Sequence, residues 1–303
     1  MTVALLSLLV PTKITDAMLV SSTAVEPASG EVAWVPGNDY ALKDQVYRPT
    51  THVIYENLIP GIDSGLPENN PTRWEEVRPT NRWAVFDDKV STQTVLSSPF
   101  TMVLKPGFFN AIAFFGLDGA HITVTVKDNP GGNQIFQYDG ALENSMPPDY
   151  YEHWFSPYKP QTDLILSGIE PYLNAELTIT ITSAGSVACG IIAIGDLKPL
   201  GKTLRGAKAA PKTFSYIDID KFGNNKIVRR KSAKDLALTA LVAIEEANSV
   251  LTTLTDLMDV PCCLIGAEGS EYSGVRGYGL VKGDLVYDEA RTCTLSINLQ
   301  GLI

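Results

Sequence analysis

Histidine and cysteine are scarce in this chain, and their scarcity narrows its chemistry. Its 303 residues include three histidines, His52, His121 and His153. None stands beside a Ser or Cys nucleophile motif, and no pair has the spacing that turns two imidazoles toward one metal. Histidine-dependent catalysis therefore has no support in the sequence. The four cysteines, Cys189, Cys262, Cys263 and Cys293, show no C-x-x-C spacing, and two are adjacent. That pattern points neither to a zinc site nor to a disulfide framework, but to buried free thiols made in a reducing cytoplasm. No apolar run approaches the ~20 residues of a membrane span. The first apolar run, MTVALLSLLVP, lacks a basic residue ahead of it and an A-x-A site behind it. It reads as a strand or packing arm rather than a signal peptide.

Other chemical signatures are also missing. The segment Asp218-Ile-Asp220-Lys-Phe-Gly223 opens like a calcium loop, but Phe222 stands at the fifth position and Arg229 at the twelfth, where a bidentate Glu is required. A hairpin turn explains its Asp and Gly better. Gly274, Gly277 and Gly279 do not follow a strand into a helix, so they are read as a loop with tight turns or close packing, not a phosphate cradle. The carboxylate pairs Glu75-Glu76 and Asp87-Asp88 are merely adjacent, and neighbouring side chains rarely converge on one substrate bond. The expectation is a non-enzyme with no cofactor, no metal and no catalytic residue.

What is present is ordinary apolar material with many turn formers: 45% hydrophobic residues, 24 Gly and 19 Pro. Such a chain builds several β-rich cores. The net charge is −10, which repels phosphate backbones and disfavours nucleic acid as a partner of the whole molecule. The charge is split, however. Between Lys198 and Lys234 lie 11 of the 24 basic residues and only two acids, so that window carries +9 and the remainder −19. A basic segment on an acidic body can dock on an acidic neighbour, a second copy included; a solvated linker is the alternative.

The organisation is read as a mainly β chain. Residues 1–30 form an extended N-terminal arm, and 31–80 a small aromatic-rich β module. Residues 81–197 form an antiparallel jelly-roll sandwich, 198–212 a basic linker, and 213–303 a C-terminal α+β assembly domain. In the sandwich, HITVTVKD, NQIFQYDG, DLILSGIEP and AELTITITSAG alternate or run apolar between turn signals, and VACGIIAIGDL reads as a buried strand. Beyond the linker, FSYIDID and KIVRR flank a turn. Ser232 with Asp235 has a capping-box pattern. Ala240, Ile244, Ala247, Leu251, Leu254 and Met258 then recur at 4-3-4-3-4 spacing, predicting one long helix whose stripe packs on its own sheet, or alternatively forms an oligomer seam. RTCTLSINLQGLI closes the chain as a strand.

Aromatic residues cluster in the small module: Trp34, Tyr40, Tyr47, Tyr55, Trp74 and, just beyond it, Trp83. Such rings either form the core of a module too small for an aliphatic one or present flat faces to sugars. The candidate glycan platform is Trp34, Tyr55 and Trp74, with Trp154 beside His153. The stretch 33–77, with Trp34, Tyr40, Asp44, Val46, Tyr55, Asn57, Pro67 and Trp74, resembles the small chitin-binding type of carbohydrate-binding module. Lys43 stands where those modules usually carry Gly. Segment 79–94 (PTNRWAVFDDKVSTQT) looks like a junction in tailed-phage structural proteins, and 171–197 is similar to the end of their galactose-binding-like jelly-roll. The C-terminal part resembles the closing domain of phage tail or baseplate proteins. This resemblance implies a virion protein of the tail, baseplate or head-to-tail collar, made in the host cytoplasm. Its partners would be copies of itself and other phage tail proteins. The alternative is an adhesin for host surface polysaccharide.

Overall fold

The computed structural model describes residues 5–143, 160–219, 225–229, 232–267 and 269–302. Strands make up 53% of the chain and helices 8%, so the fold is mainly β, as its composition predicts. In the N-terminal segment lie β1 (Leu5–Pro11) and β2 (Leu19–Ser22). The small module holds β3 (Asn38–Tyr40), β4 (Gln45–Arg48), β5 (Val53–Asn57), β6 (Gly61–Asp63) and β7 (Trp74–Pro79). Next come β8 (Thr94–Ser97), β9 (Phe100–Leu104), β10 (Ala111–Phe115), β11 (His121–Lys127) and β12 (Gln134–Ala141). They are followed by β13 (Asp163–Ser167), β14 (Glu176–Thr182), β15 (Ser186–Cys189) and β16 (Ile191–Thr203). The last third carries β17 (Lys208–Thr213), β18 (Tyr216–Ile219), β19 (Asn225–Val228) and β20 (Ser232–Ala243). After helix α1 (Ala247–Asp256), the chain ends in β21 (Cys262–Ile265), β22 (Arg276–Val286) and β23 (Thr292–Gly301).

A five-stranded antiparallel sheet, β12-β11-β14-β9-β2, forms one layer of a jelly-roll-like sandwich. The period-2 pattern decides its faces: Ile122, Val124 and Val126 of β11, and Leu177, Ile179 and Ile181 of β14, are fully buried, while the threonines between them are half-exposed. The opposing layer is β13-β10 with the first half of β16, which adds Ile112, Phe114, Leu166 and Ile194 to the same core. Each such side chain removed from water stabilises the fold by about 1.5–3 kcal/mol before conformational entropy is counted. Strand β10 (AIAFF) is buried on both faces, because its other side packs against Leu9, Cys263 and Tyr278.

The remaining strands close on themselves. The order β16-β1-β21-β22-β23-β20 is antiparallel throughout, and Lys202↔Leu241 and Thr203↔Ala240 join β20 back to β16. The result is a six-stranded barrel filled with side chains, among them Leu6, Leu8, Leu238, Val242, Leu264 and Leu295. Helix α1 adds Ala247, Val250, Leu254 and Leu257 to that core. Gly279 lets two backbones meet in the wall: a Cβ there would stand 2.1 Å from the Gln300 carbonyl oxygen.

Three expectations are corrected. Residues 198–212 are not a linker: β16 continues to Thr203, and β17 occupies most of the rest. The predicted long helix is strand over Ser232–Ala243, and only Ala247–Asp256 is helical. Leu236, Leu238, Ala240 and Val242 alternate into the barrel, so period 2 and pairing within a nine-stranded sheet override helix-favouring Ala, Leu and Lys. The stripe is therefore broken. Ala240 lies in the barrel wall, Ala247 and Leu254 lie under the helix, and Ile244, Leu251 and Met258 are exposed. The helix does pack on its own sheet, as its apolar residues predict. Finally, the N-terminal arm is not peripheral: β1 is a central barrel strand, and β2 edges the sandwich.

Candidate functional site

In the small module the aromatic rings are core. Trp34, Tyr40, Val46, Tyr55 and Trp74 pack as one cluster, and Trp74 is 2% exposed. Tyr40 meets Trp74 edge-on at 5.1 Å, and Trp74 Nε1 donates to Asp63 at 2.7 Å. The Arg48 guanidinium lies 5.0 Å over Trp34 and is held there by a two-pronged contact with Glu68. Asn57, fully buried, donates to the Tyr40 and Ala41 carbonyls. The candidate glycan platform is corrected accordingly: Trp34, Tyr55 and Trp74 have no flat face free for a sugar. Trp154 and His153 lie outside the described residues. Lys43 adopts φ 71°, the left-handed region, which is a physical reason for a glycine at that position in a module of this shape.

A second set of polar residues ties three segments together. Glu26, almost buried, accepts from Thr80 Oγ1 at 2.7 Å and from Trp83 Nε1 at 3.2 Å. His52 Nδ1 lies 3.0 Å from each Glu26 oxygen, so that nitrogen carries the proton. The His52 ring stacks on Trp83 at 4.3 Å. His52 Nε2 lies 2.8 Å from Asp16 Oδ1 without the alignment of a hydrogen bond. These contacts fix the small module against the N-terminal segment. The three groups come from residues 16–26, 52 and 80–83, a juxtaposition that no local pattern announces.

Beside this cluster opens a cleft of about 630 Å3. Its floor is apolar, with Ile14, Val85, Phe86, Ile192 and Val260; its rim carries Asp16, Asp87, Asp88 and Asp259 against Lys13. Burial pushes the Asp87 carboxyl up to about 6, and the neighbouring Asp88 adds to the shift. Burial, followed by the Asp88 charge, also pushes the Tyr278 phenol up. Sequence reasoning set the Asp87-Asp88 pair aside because adjacent carboxylates seldom converge. They do not converge with each other, but β-strand folding brings them to a rim shared with Asp16 and Asp259.

The third feature is the basic window. Strands β18 and β19 pair only with each other and belong to no larger sheet among the described residues. By register, Ile219 and Ile227 fall on one face of this ribbon, and they are 65% and 60% exposed. Lys226, opposite Asp218 on the other face, and Arg229, just past β19, are exposed. The predicted hairpin is present, although its turn, like most of the calcium-like loop, lies outside the described residues. All four cysteines are free and buried, as their spacing predicts, and burial holds the Cys262 thiol near 12. Gly277 and Gly279 are closely packed, as expected, but in β22 rather than in a loop. Among the described residues no helix is long and apolar enough to cross a membrane. Compared with known protein families, curated proteins and solved structures, the chain matches none.

Proposed function

We propose that this chain is a structural subunit of a bacteriophage particle, in the tail, baseplate or head-to-tail collar, that assembles with copies of itself and with other particle proteins. The observation that carries the assembly part is the β18–β19 ribbon: a two-stranded sheet with apolar side chains in water, on the basic part of an acidic molecule. A lone hairpin is marginal in water and is stabilised when a further surface covers it. Exposed apolar residues framed by charge mark an interaction surface. The virion part is supported by the resemblance of residues 79–94, 171–197 and the C-terminal region to tailed-phage structural proteins. Burial of Trp34, Tyr55 and Trp74 in the aromatic core weighs for this reading over the adhesin alternative.

Two measurements test the proposal together. Sedimentation of the purified protein across a wide concentration range is expected to show reversible or stable oligomers. Mass spectrometry of purified particles from the phage that encodes the chain is expected to find it in stoichiometric amounts. A protein that stays monomeric at high concentration and is missing from particles overturns the reading.

A further inference from the structure

The ribbon and the cleft are complementary in two independent respects. The ribbon presents Ile219 and Ile227 with Lys226 and Arg229 close by. The cleft presents an apolar floor beneath a rim of four carboxylates and one lysine. Its volume is that of a site that takes a few side chains, not a whole domain. Apolar burial supplies affinity in such a contact, while opposite charge at the rim steers the encounter and fixes the register. The same molecule carries both surfaces, and they are different surfaces.

We propose, building on the assembly reading above, that the β18–β19 ribbon of one copy seats in the acidic cleft of a second copy. The contact is heterologous, head to tail, so each bound copy leaves one free ribbon and one free cleft. Repetition yields a closed ring if the rotation per step closes and a filament if it does not. Ile227 enters over Phe86 and Val260, Arg229, just past the end of β19, lies against Asp88, and Lys226 on the ribbon's other face adds its charge at the rim. Raising the salt concentration weakens the contact, because Asp16, Asp88 and Asp259 of the rim are exposed and screened.

Charge reversal on either side separates the two surfaces. A ribbon variant, Lys226→Glu with Arg229→Glu, and a cleft variant, Asp16→Lys with Asp88→Lys, change exposed residues, and circular dichroism checks that each is folded. In sedimentation, each variant alone is expected to associate about tenfold more weakly or worse. A mixture of the two variants offers two matched pairs, the wild-type ribbon with the wild-type cleft and the acidic ribbon with the basic cleft. The mixture is therefore expected to recover assembly that neither variant shows alone. Independently, Ile227→Cys on one chain and Val260→Cys on another are expected to give a covalent dimer with a short bismaleimide, against a background kept low by the buried native thiols. Undiminished association of both variants, with no cross-link, overturns the ribbon–cleft contact while leaving assembly intact. Absence of association in the wild type at every concentration overturns both.

Discussion

Asp87 offers a quantitative check on the cleft. Its carboxyl titrates near 6 in the folded protein against 3.8 when unperturbed, with burial as the largest cause. In the interval between those values the folded state holds a proton that the unfolded state has released. Stability from this group is therefore complete below pH 3.8 and is lost as the pH rises through about 6. Two units at 1.36 kcal/mol each set a ceiling of about 3 kcal/mol, which solvent screening of this half-open carboxylate reduces to about 1–2 kcal/mol. Asp87→Asn removes the titration but keeps an oxygen to accept from the Lys89 backbone N–H, a contact of 2.8 Å. Near pH 4 the variant and the wild type are expected to have equal stability. By pH 8 the variant is expected to be more stable by about 1–2 kcal/mol, with the difference opening between pH 4 and 6. Urea unfolding at a series of pH values reads this directly, because charge repulsion elsewhere is common to both proteins and cancels. A difference that stays flat with pH, or that favours the wild type as pH rises, refutes the burial argument for this carboxylate.

Four further substitutions probe the modules. Trp74→Ala empties the centre of the aromatic core, strands Asp63 without its indole donor and is expected to cost about 3–5 kcal/mol, with new proteolytic cleavage confined to residues 31–80. Lys43→Gly relieves a left-handed backbone and is expected to stabilise the protein by roughly 0.5–1 kcal/mol, seen as a higher melting temperature; a lower one would mean that the Lys43 side chain itself holds the turn. Gly279→Ala forces a methyl group against the Gln300 carbonyl and is expected to cost about 1–3 kcal/mol or to prevent folding. By contrast, Gly274→Ala has no atom within 4 Å of the new carbon and is expected to shift stability by about 0.5 kcal/mol at most.

How much of this was legible in the sequence depended on the range over which each feature is decided. Strands β11, β14 and β23 each have one buried face, and HITVTVK, ELTITIT and TLSINLQ announce them. Strand β20 does not announce itself, because Ala-Lys-Asp-Leu-Ala-Leu favours a helix and only pairing with β17 and β23 overrules it. The barrel was invisible: β1 finds its partner near residue 200, and closure depends on two residue pairs between β16 and β20. The aromatic module was legible as a cluster, but composition alone does not distinguish rings that pack together from rings that face water. Arg48, Asp63 and Asn57 decide that, and their contacts are tertiary. The acidic rim draws Asp16, Asp87, Asp88 and Asp259 from three distant segments, whereas the basic ribbon is contiguous and stood out as an excess of lysine and arginine.

Strand β16 has a mechanical consequence. Its first residues are hydrogen-bonded to β10 in the sandwich, and its later residues run antiparallel to β1 in the barrel wall. There is no hinge between the two halves of the molecule, only thirteen residues of continuous extended backbone. A force that draws the sandwich away from the barrel along this strand loads the β1–β16 ladder in shear, many hydrogen bonds at once, instead of unzipping them singly. The halves should consequently melt as one transition and resist stretching as one body, leaving the ribbon as the compliant element.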